Sequence, residues 1–323
     1  MTRFRIALPL VVLALSPGAA LATDSCLPDC SPTAGACNHF PFNPTWQNAA
    51  GEWRYQAVFT PQQLGGLRRV TDLSFASCSG SGTFRAQVFE VRMSHLPGPP
   101  TTSFAGNLPR PVVVRNPLPI VWGPVTDRWV SIRLDCPFDY NGIDNLTVEL
   151  RYTGGTISGG FMGPTYDAGL APRIYAYGPG AFGTVPSGAL EGFAFKVRFT
   201  QADVTVAGGN PVPGGTVNLL ADDSADAGLQ YIAASSLGSG PFLIGCWPVE
   251  LSVDVVLVLS LTNALPAVFV NYQSVLDFEG RATLVLNLPA SQALVGLSLH
   301  TVFQVFSPVG SVFSRSGAFT IRP

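Results

Sequence analysis

Hydrophobic and polar residues alternate with a period of two along much of this chain. Arg54-Tyr55-Gln56-Ala57-Val58-Phe59 does so, as do Val70 to Phe75, Trp129 to Leu134 and Leu146 to Tyr152. Between Phe84 and Arg92 one row (Phe84, Ala86, Val88, with Glu90 breaking it) opposes another (Arg85, Gln87, Phe89, Val91). Phe193, Phe195, Val197 and Phe199 share one face of their segment, and Ala194, Lys196 and Arg198 share the other. Side chains two apart lie on the same side of a strand, so each run predicts a strand with one face on a core and one in water. Pro97-Gly98-Pro99-Pro100, Gly154-Gly155, Gly159-Gly160 and Gly178-Pro179-Gly180 separate them as turns and loops. The prolines at 109, 111, 117 and 119 suit edge segments, where an amide is absent or faces water.

A second series starts near Asp203. Val204 and Val206 precede Gly208 to Gly215, and Thr216 to Leu219 follows at strand spacing, as in an opening hairpin. Further strands are predicted at Phe242 to Gly245, Val253 to Leu261, Ala267 to Val270, Ala282 to Leu286, Leu297 to Val305 and Phe319 to Ile321. Only residues 222–237 offer a helix candidate, and their glycine and β-branched content weakens it. The pattern predicts an all-β chain of two β-sandwich domains, jelly-roll-like over 46–201 and smaller and immunoglobulin-like over 202–323.

Residues 1–22 break the pattern. Arg3 and Arg5 precede an apolar run from Ile6 to Leu15 and a small-residue segment ending at Leu21-Ala22. That order is a secretory signal peptide and places the protein outside the cell or on its surface. Residues 23–45, rich in Cys, Pro, Ser and Asp, form a lead-in.

Composition narrows the function. Removing Arg3 and Arg5 leaves 16 of the 18 basic residues against 20 acidic ones, and Lys196 is the one lysine. Residues 202–323 carry eight carboxylates against Arg281, Arg315 and Arg322. No basic face is laid out for nucleic acid, and no later segment is long and apolar enough for stable membrane insertion.

Secretion makes disulfides permissible for Cys26, Cys30, Cys37, Cys78, Cys136 and Cys246. Five precede residue 202, so full pairing requires a bond across the domain junction; a free buried Cys246 fits the pattern equally. The Cys26, Cys30, Cys37 spacing matches no zinc pattern.

Candidate chemistry is sparse. His39, His95 and His300 read as surface or turn residues, with His300 opposite the face shared by Leu297, Leu299, Thr301 and Phe303. Two loops are rich in oxygen donors: Asp139, Asn141 and Asp144 around Gly142, and Asp222, Asp223 and Asp226. Either can donate part of a calcium shell, although Asx turns explain the first and solubility the second; no other cofactor is expected. Trp122, Trp129, Tyr175 and Tyr177 are candidate sugar-stacking rings, and the two tyrosines stand two apart and share a strand face. Tyrosine pairs also serve cores and domain interfaces. A glycosidase needs two facing carboxylates, for which Glu90, Glu149, Asp135 and Asp139 are available, but Glu149 alternates outward between Val148 and Leu150 as a solvated residue would.

Several motifs have a familiar look. Trp53 to Phe59, Val70 to Phe75, Val91 to His95, Phe104-Ala105-Gly106-Asn107, Pro137-Phe138-Asp139-Tyr140 and Asn145-Leu146 mark the first domain. Asp277-x-x-Gly280-x-Ala282, Leu288-Pro289, Leu294 to Leu297 and Ser314 to Ile321 mark the second. Over about residues 50–321 the chain resembles uncharacterised secreted two-module β-sandwich proteins of the planctomycete and myxobacterial kind. The resemblance implies an exported surface or matrix protein and no catalytic residues. The expectation is a non-catalytic surface, adhesive or extracellular-matrix protein with a glycan, a surface protein or its own copies as partner. A carbohydrate-binding module and then a carboxylate-pair glycan hydrolase are the alternatives.

Overall fold

The computed structural model describes residues 24–32, 36–37, 41–42, 44, 50–79, 82–159, 162–308 and 310–323; of these, 36–37, 78–79 and 162–171 are described by backbone alone. The described chain is almost entirely antiparallel β structure of the sandwich type. Strands up to Thr200 hydrogen-bond among themselves, and those from Asp203 do the same.

In the first unit one layer centres on Trp53–Phe59, Asn145–Thr153 and Gly82–Leu96, flanked by Val112–Trp122. The other layer holds Asp72–Ser79, Val197–Thr200 and Trp129–Ser131. The long strand Met162–Tyr177 joins them, pairing with Asp72–Ser79 at one end and Trp53–Phe59 at the other. Between the layers lies an aromatic core, in which the Phe42 ring meets Phe75, Phe84 and Trp122 at centroid distances of 5.4, 5.3 and 4.5 Å.

The Gly82–Leu96 strand changes phase midway. Phe84 and Ala86 face the core, and then Phe89, Val91 and Met93 do. The pairing with Val112–Trp122 slips between Ala86 and Phe89, and such a bulge turns the following side chains to the opposite face. Val88 therefore does not continue the first row.

The outer face of this layer is not in water. Glu149 is fully buried, contrary to the alternation reading. It accepts hydrogen bonds from Arg54 Nε at 2.6 Å and Gln56 Nε2 at 2.8 Å. Glu90 pairs with Arg92 and Arg151, so carboxylates and guanidiniums alternate across three strands. The roof is a loop in which buried Asn107 donates to Gln56 Oε1 and to Thr101 O, while the Arg54 guanidinium lies 4.4 Å from the Phe104 ring. Phe182 covers Arg151 in the same way. Lys196 is likewise buried rather than solvated, held by Asp29 of the lead-in, whose strand Ser25–Leu27 pairs with Val197–Phe199.

The second unit stacks a four-stranded sheet (Asp203–Gly209, Thr216–Asp222, Arg281–Asn287, Phe269–Val270) on a five-stranded one around Gln230–Ser236 and Ser298–Ser307. Val217, Leu219, Leu284 and Leu286 meet Tyr231, Ala233, Phe303 and Val305 between them. Two expectations reverse here. Residues 230–236, the Ala-rich end of the helix candidate, form a strand paired on both sides, with only a 3-10 turn at Ser224–Asp226. Val255–Leu261 is a helix, because Asp254 caps it by accepting from Leu257 N at 2.9 Å and Ser260 Oγ accepts from Ser235 N at 2.9 Å. Tertiary hydrogen bonds thus outweigh the β preference of valine.

Removing one member of a buried ion pair leaves the other charge unpaired, at a cost of ~3–5 kcal/mol. Glu149→Ala is expected to lose that amount in urea denaturation, and a loss below ~1 kcal/mol would show that water reaches the arginines.

Candidate functional site

The densest meeting of charged and covalent groups lies where the two units join. The connection is not a free linker. Thr71 N donates to Thr200 O, Ala202 N donates to Thr71 Oγ1, and Gln201 Oε1 accepts from both Arg68 N and Arg69 N. Arg69, itself buried, reaches Asp139 Oδ1 at 2.6 Å and Glu250 Oε1 at 3.1 Å, and Glu250 in turn accepts from Ser316.

The bond Cys136–Cys246 ties the units covalently, with a Cα separation of 5.5 Å. Beside it Trp247 Nε1 donates to Asp135 O at 2.9 Å. Cys246 is therefore neither free nor buried without a partner. A second bond, Cys26–Cys30, closes a small loop in the lead-in, while the side chains of Cys37 and Cys78 lie outside the described residues.

A buried polar node completes the junction. Asp72 of the first unit and Asp223 and Asp226 of the second are each 1% exposed. Arg133 pairs with Asp226, and its guanidinium also faces Asp72 and Asp223. Asp72 accepts from Ser131 Oγ at 2.6 Å and Ser74 Oγ at 3.2 Å, and Arg198 donates to Ser74 Oγ at 3.3 Å. Arg198 approaches Asp24 at 3.7 Å, and Ser224 donates to the same Asp24 carboxylate, so the lead-in and both units meet here.

The electrostatics follow from burial. Desolvation pushes Asp72 up to about 6, against the pull of Arg133 and the Ser131 hydroxyl. Asp223 is raised well above the usual carboxylate range, by desolvation first and then by the charge of Asp226. Asp222 is also pushed up to about 6 by desolvation, with Arg281 opposing. Two close carboxylates resemble an acid–base pair, but these are buried.

The sequence-predicted residues distribute as follows. The cation facing Asp223 and Asp226 is Arg133, and Asp222 lies alongside against Arg281. Asn141 forms an Asx turn, accepting from Ile143 N and Asp144 N and donating to Asp144 Oδ2, while Asp139 serves Arg69. Among the described residues no group of three His, Cys, Asp or Glu converges as a metal ligand set. Trp122 is buried in the aromatic core, and half-buried Trp129 donates from Nε1 to Cys30 O at 3.0 Å. Tyr175 and Tyr177 stack with centroids 6.4 Å apart and planes 9° from parallel; Tyr177 leans on Trp53, and Tyr175 donates to Glu191 Oε1.

The carboxylates considered for hydrolysis are also engaged. Glu90 and Glu149 share a face but are held by arginines, and Asp135 Oδ2 accepts from Asn116 N. His95 accepts from Asn141 N at 3.1 Å and packs on Phe138; His300 is half-buried; His39 lies outside the described residues. In the sequence Arg133 is one polar position of an alternating run and carries no signal of the node it centres; in the structure it lies beyond the strand Trp129–Ser131, with a left-handed backbone at φ 56°. No protein-family profile and no curated protein matches the chain.

Two outcomes test the junction. Closing a loop of 110 residues constrains the unfolded chain, so replacing Cys136 and Cys246 together by serine is expected to cost ~2–5 kcal/mol in denaturant titration. An unchanged midpoint would mean the bond does not form. A carboxyl whose folded pKa is raised stabilises most when protonated, so the contribution of Asp72 is complete below about pH 4 and lost as the pH rises through about 6. Asp223 has the same sign, with its loss at higher pH. The melting temperature is therefore expected to rise from pH 8 to pH 5, and Asp72→Asn to raise it at pH 8 and flatten the profile. A wild-type profile that falls over this range would contradict the node's electrostatics.

Proposed function

We propose that this is a secreted, non-catalytic surface or matrix protein in which two β-sandwiches act as one rigid element. The observation that carries the reading is the joint: a disulfide, buried ion pairs and a pinned connection hold Asp135, Cys136 and Arg133 of one unit against Trp247, Cys246 and Asp226 of the other. Domains that must move relative to each other ordinarily meet through small, polar, uncrosslinked interfaces. A locked pair instead suits a part that spaces or bears load. Disulfides belong to oxidising compartments, and among the described residues no helix is long and apolar enough to cross a membrane. The leader at residues 1–22 supplies the route.

A glycan-binding role is the second reading. It is favoured by the nearly parallel rings of Tyr175 and Tyr177 on one strand. Retention of the protein on a polysaccharide panel, lost in the Tyr175→Ala, Tyr177→Ala double variant, would support it; equal retention would end it.

The principal reading makes two measurable claims. Produced with its own leader, the chain should reach the outer surface or medium, begin after Ala22 and carry no free thiol at Cys136 or Cys246; a reduced cytoplasmic chain, or turnover of a glycan panel, would overturn it. Pulled from its ends, the oxidised protein should unfold short of full length by ~370 Å, since 110 residues at ~3.4 Å each stay behind the disulfide, and reduction should release that length.

A further inference from the structure

The second unit holds an apolar pocket that the rigid-element reading does not use. One face of the five-stranded sheet packs in the sandwich core. The opposite face presents Ile232, Ala234, Val302 and Phe313, where a sandwich ordinarily turns polar side chains to water. The helix Val255–Leu261 and the hairpin Phe242–Ile244, Trp247–Val249 roof this face without filling the space beneath. The space measures about 170 Å³ and is lined by aliphatic and aromatic groups.

Two features say what would occupy it. No ionisable side chain lines the pocket, and its one polar side chain is Gln304. The roof continues outward as exposed Leu243, Ile244, Val258 and Leu261, the last 44% exposed, so an apolar path leads in. A dry apolar cavity of about 150 Å³ is enough to take benzene, which makes this one wide enough for one short chain or ring and too small for a lipid with two tails. A charged head would find no counter-ion, whereas a hydroxyl would find the Gln304 amide.

We propose that this pocket binds the single short alkyl chain of a neutral amphiphile, with its methylenes against Ala234, Leu257 and Phe313 and its hydroxyl on Gln304. The helix is seated independently of the ligand, through the Asp254 cap and the Ser260 to Ser235 hydrogen bonds, so the pocket exists before binding.

The test titrates the full mature chain with 1-hexanol and with benzene, following methyl resonances. Saturable one-site binding of both is expected, with shifts at Ile232, Ala234, Leu257 and Leu261. Ala234→Phe, which fills the space, should weaken both at least tenfold; Val302→Phe does the same should the first variant fail to fold. Gln304→Leu should weaken 1-hexanol at least threefold and leave benzene unchanged. No saturable binding up to the solubility of 1-hexanol, or binding indifferent to both filling variants, would overturn the assignment. So would concentration-dependent dimerisation that buries Leu243 and Val258, or co-sedimentation with neutral vesicles in place of 1-hexanol binding, since either would give the apolar rim a different occupant.

Discussion

The arrangement of the whole molecule depends on a loop of 110 residues closed by Cys136–Cys246 beside a node of buried carboxylates. Neither unit offers the other a broad greasy surface there; the contact is made of Arg69, Arg133, Glu250, Asp226 and backbone amides. Such groups lose hydration on burial and recover it only through well-placed partners, so a polar junction is specific in geometry and modest in net strength. The covalent tie removes that weakness. It keeps the polar partners at high effective concentration, and they in turn hold one orientation that the disulfide by itself would leave free.

The same economy of charge recurs in the first unit. The chain is poor in charged residues, 12% overall, yet buries Arg54, Glu90, Glu149, Arg173 and Lys196. The layer Trp53–Phe59, Asn145–Thr153, Gly82–Leu96 is thereby sandwiched twice, with an aromatic core beneath and an ion ladder above, roofed by the loops of Phe104 and Phe182. Cross-strand pairing explains why the ladder works: Glu149 stands opposite Arg92 and Arg151 opposite Glu90, while Arg54, which stands opposite Arg151, reaches along the diagonal to Glu149, so both carboxylates are flanked by guanidiniums. The motif Phe104-Ala105-Gly106-Asn107 finds its physical meaning here, since Asn107 and the Phe104 carbonyl both bind Gln56 at the ladder's edge.

Alternation read from the sequence locates most strands, because burial of one face is written directly into the order of residues. It fails where a second layer covers the other face. Glu149 and Lys196 read as solvated since a polar residue between apolar ones looks the same whether water or an arginine faces it. It fails again at the slip between Ala86 and Phe89, where one extra residue inverts the phase and no side chain announces it. Val255–Leu261 and Gln230–Ser236 exchange their local preferences because Asp254, Ser260 and the pairing partners of 230–236 act from outside each segment. The junction was legible only as an odd count of cysteines before residue 202. Its node was half visible in Asp222, Asp223 and Asp226, and the missing half comes from the first unit, far away in sequence: Asp72 in its strand and Arg133 just past the end of Trp129–Ser131.

The two units thus break the rule of polar outside and apolar inside in opposite ways. The first covers charged residues on its outer sheet face and closes them with loops; the second covers apolar ones on its outer face and roofs them incompletely. The difference has a physical consequence. A buried ion ladder tolerates no gap, since any unpaired charge costs several kcal/mol, and so its roof must fit tightly. An apolar face can tolerate a void, at a cost that grows only with the area left uncovered. The capacity to admit a small guest therefore falls on the second unit, while the first supplies the stiffness against which the joint holds it.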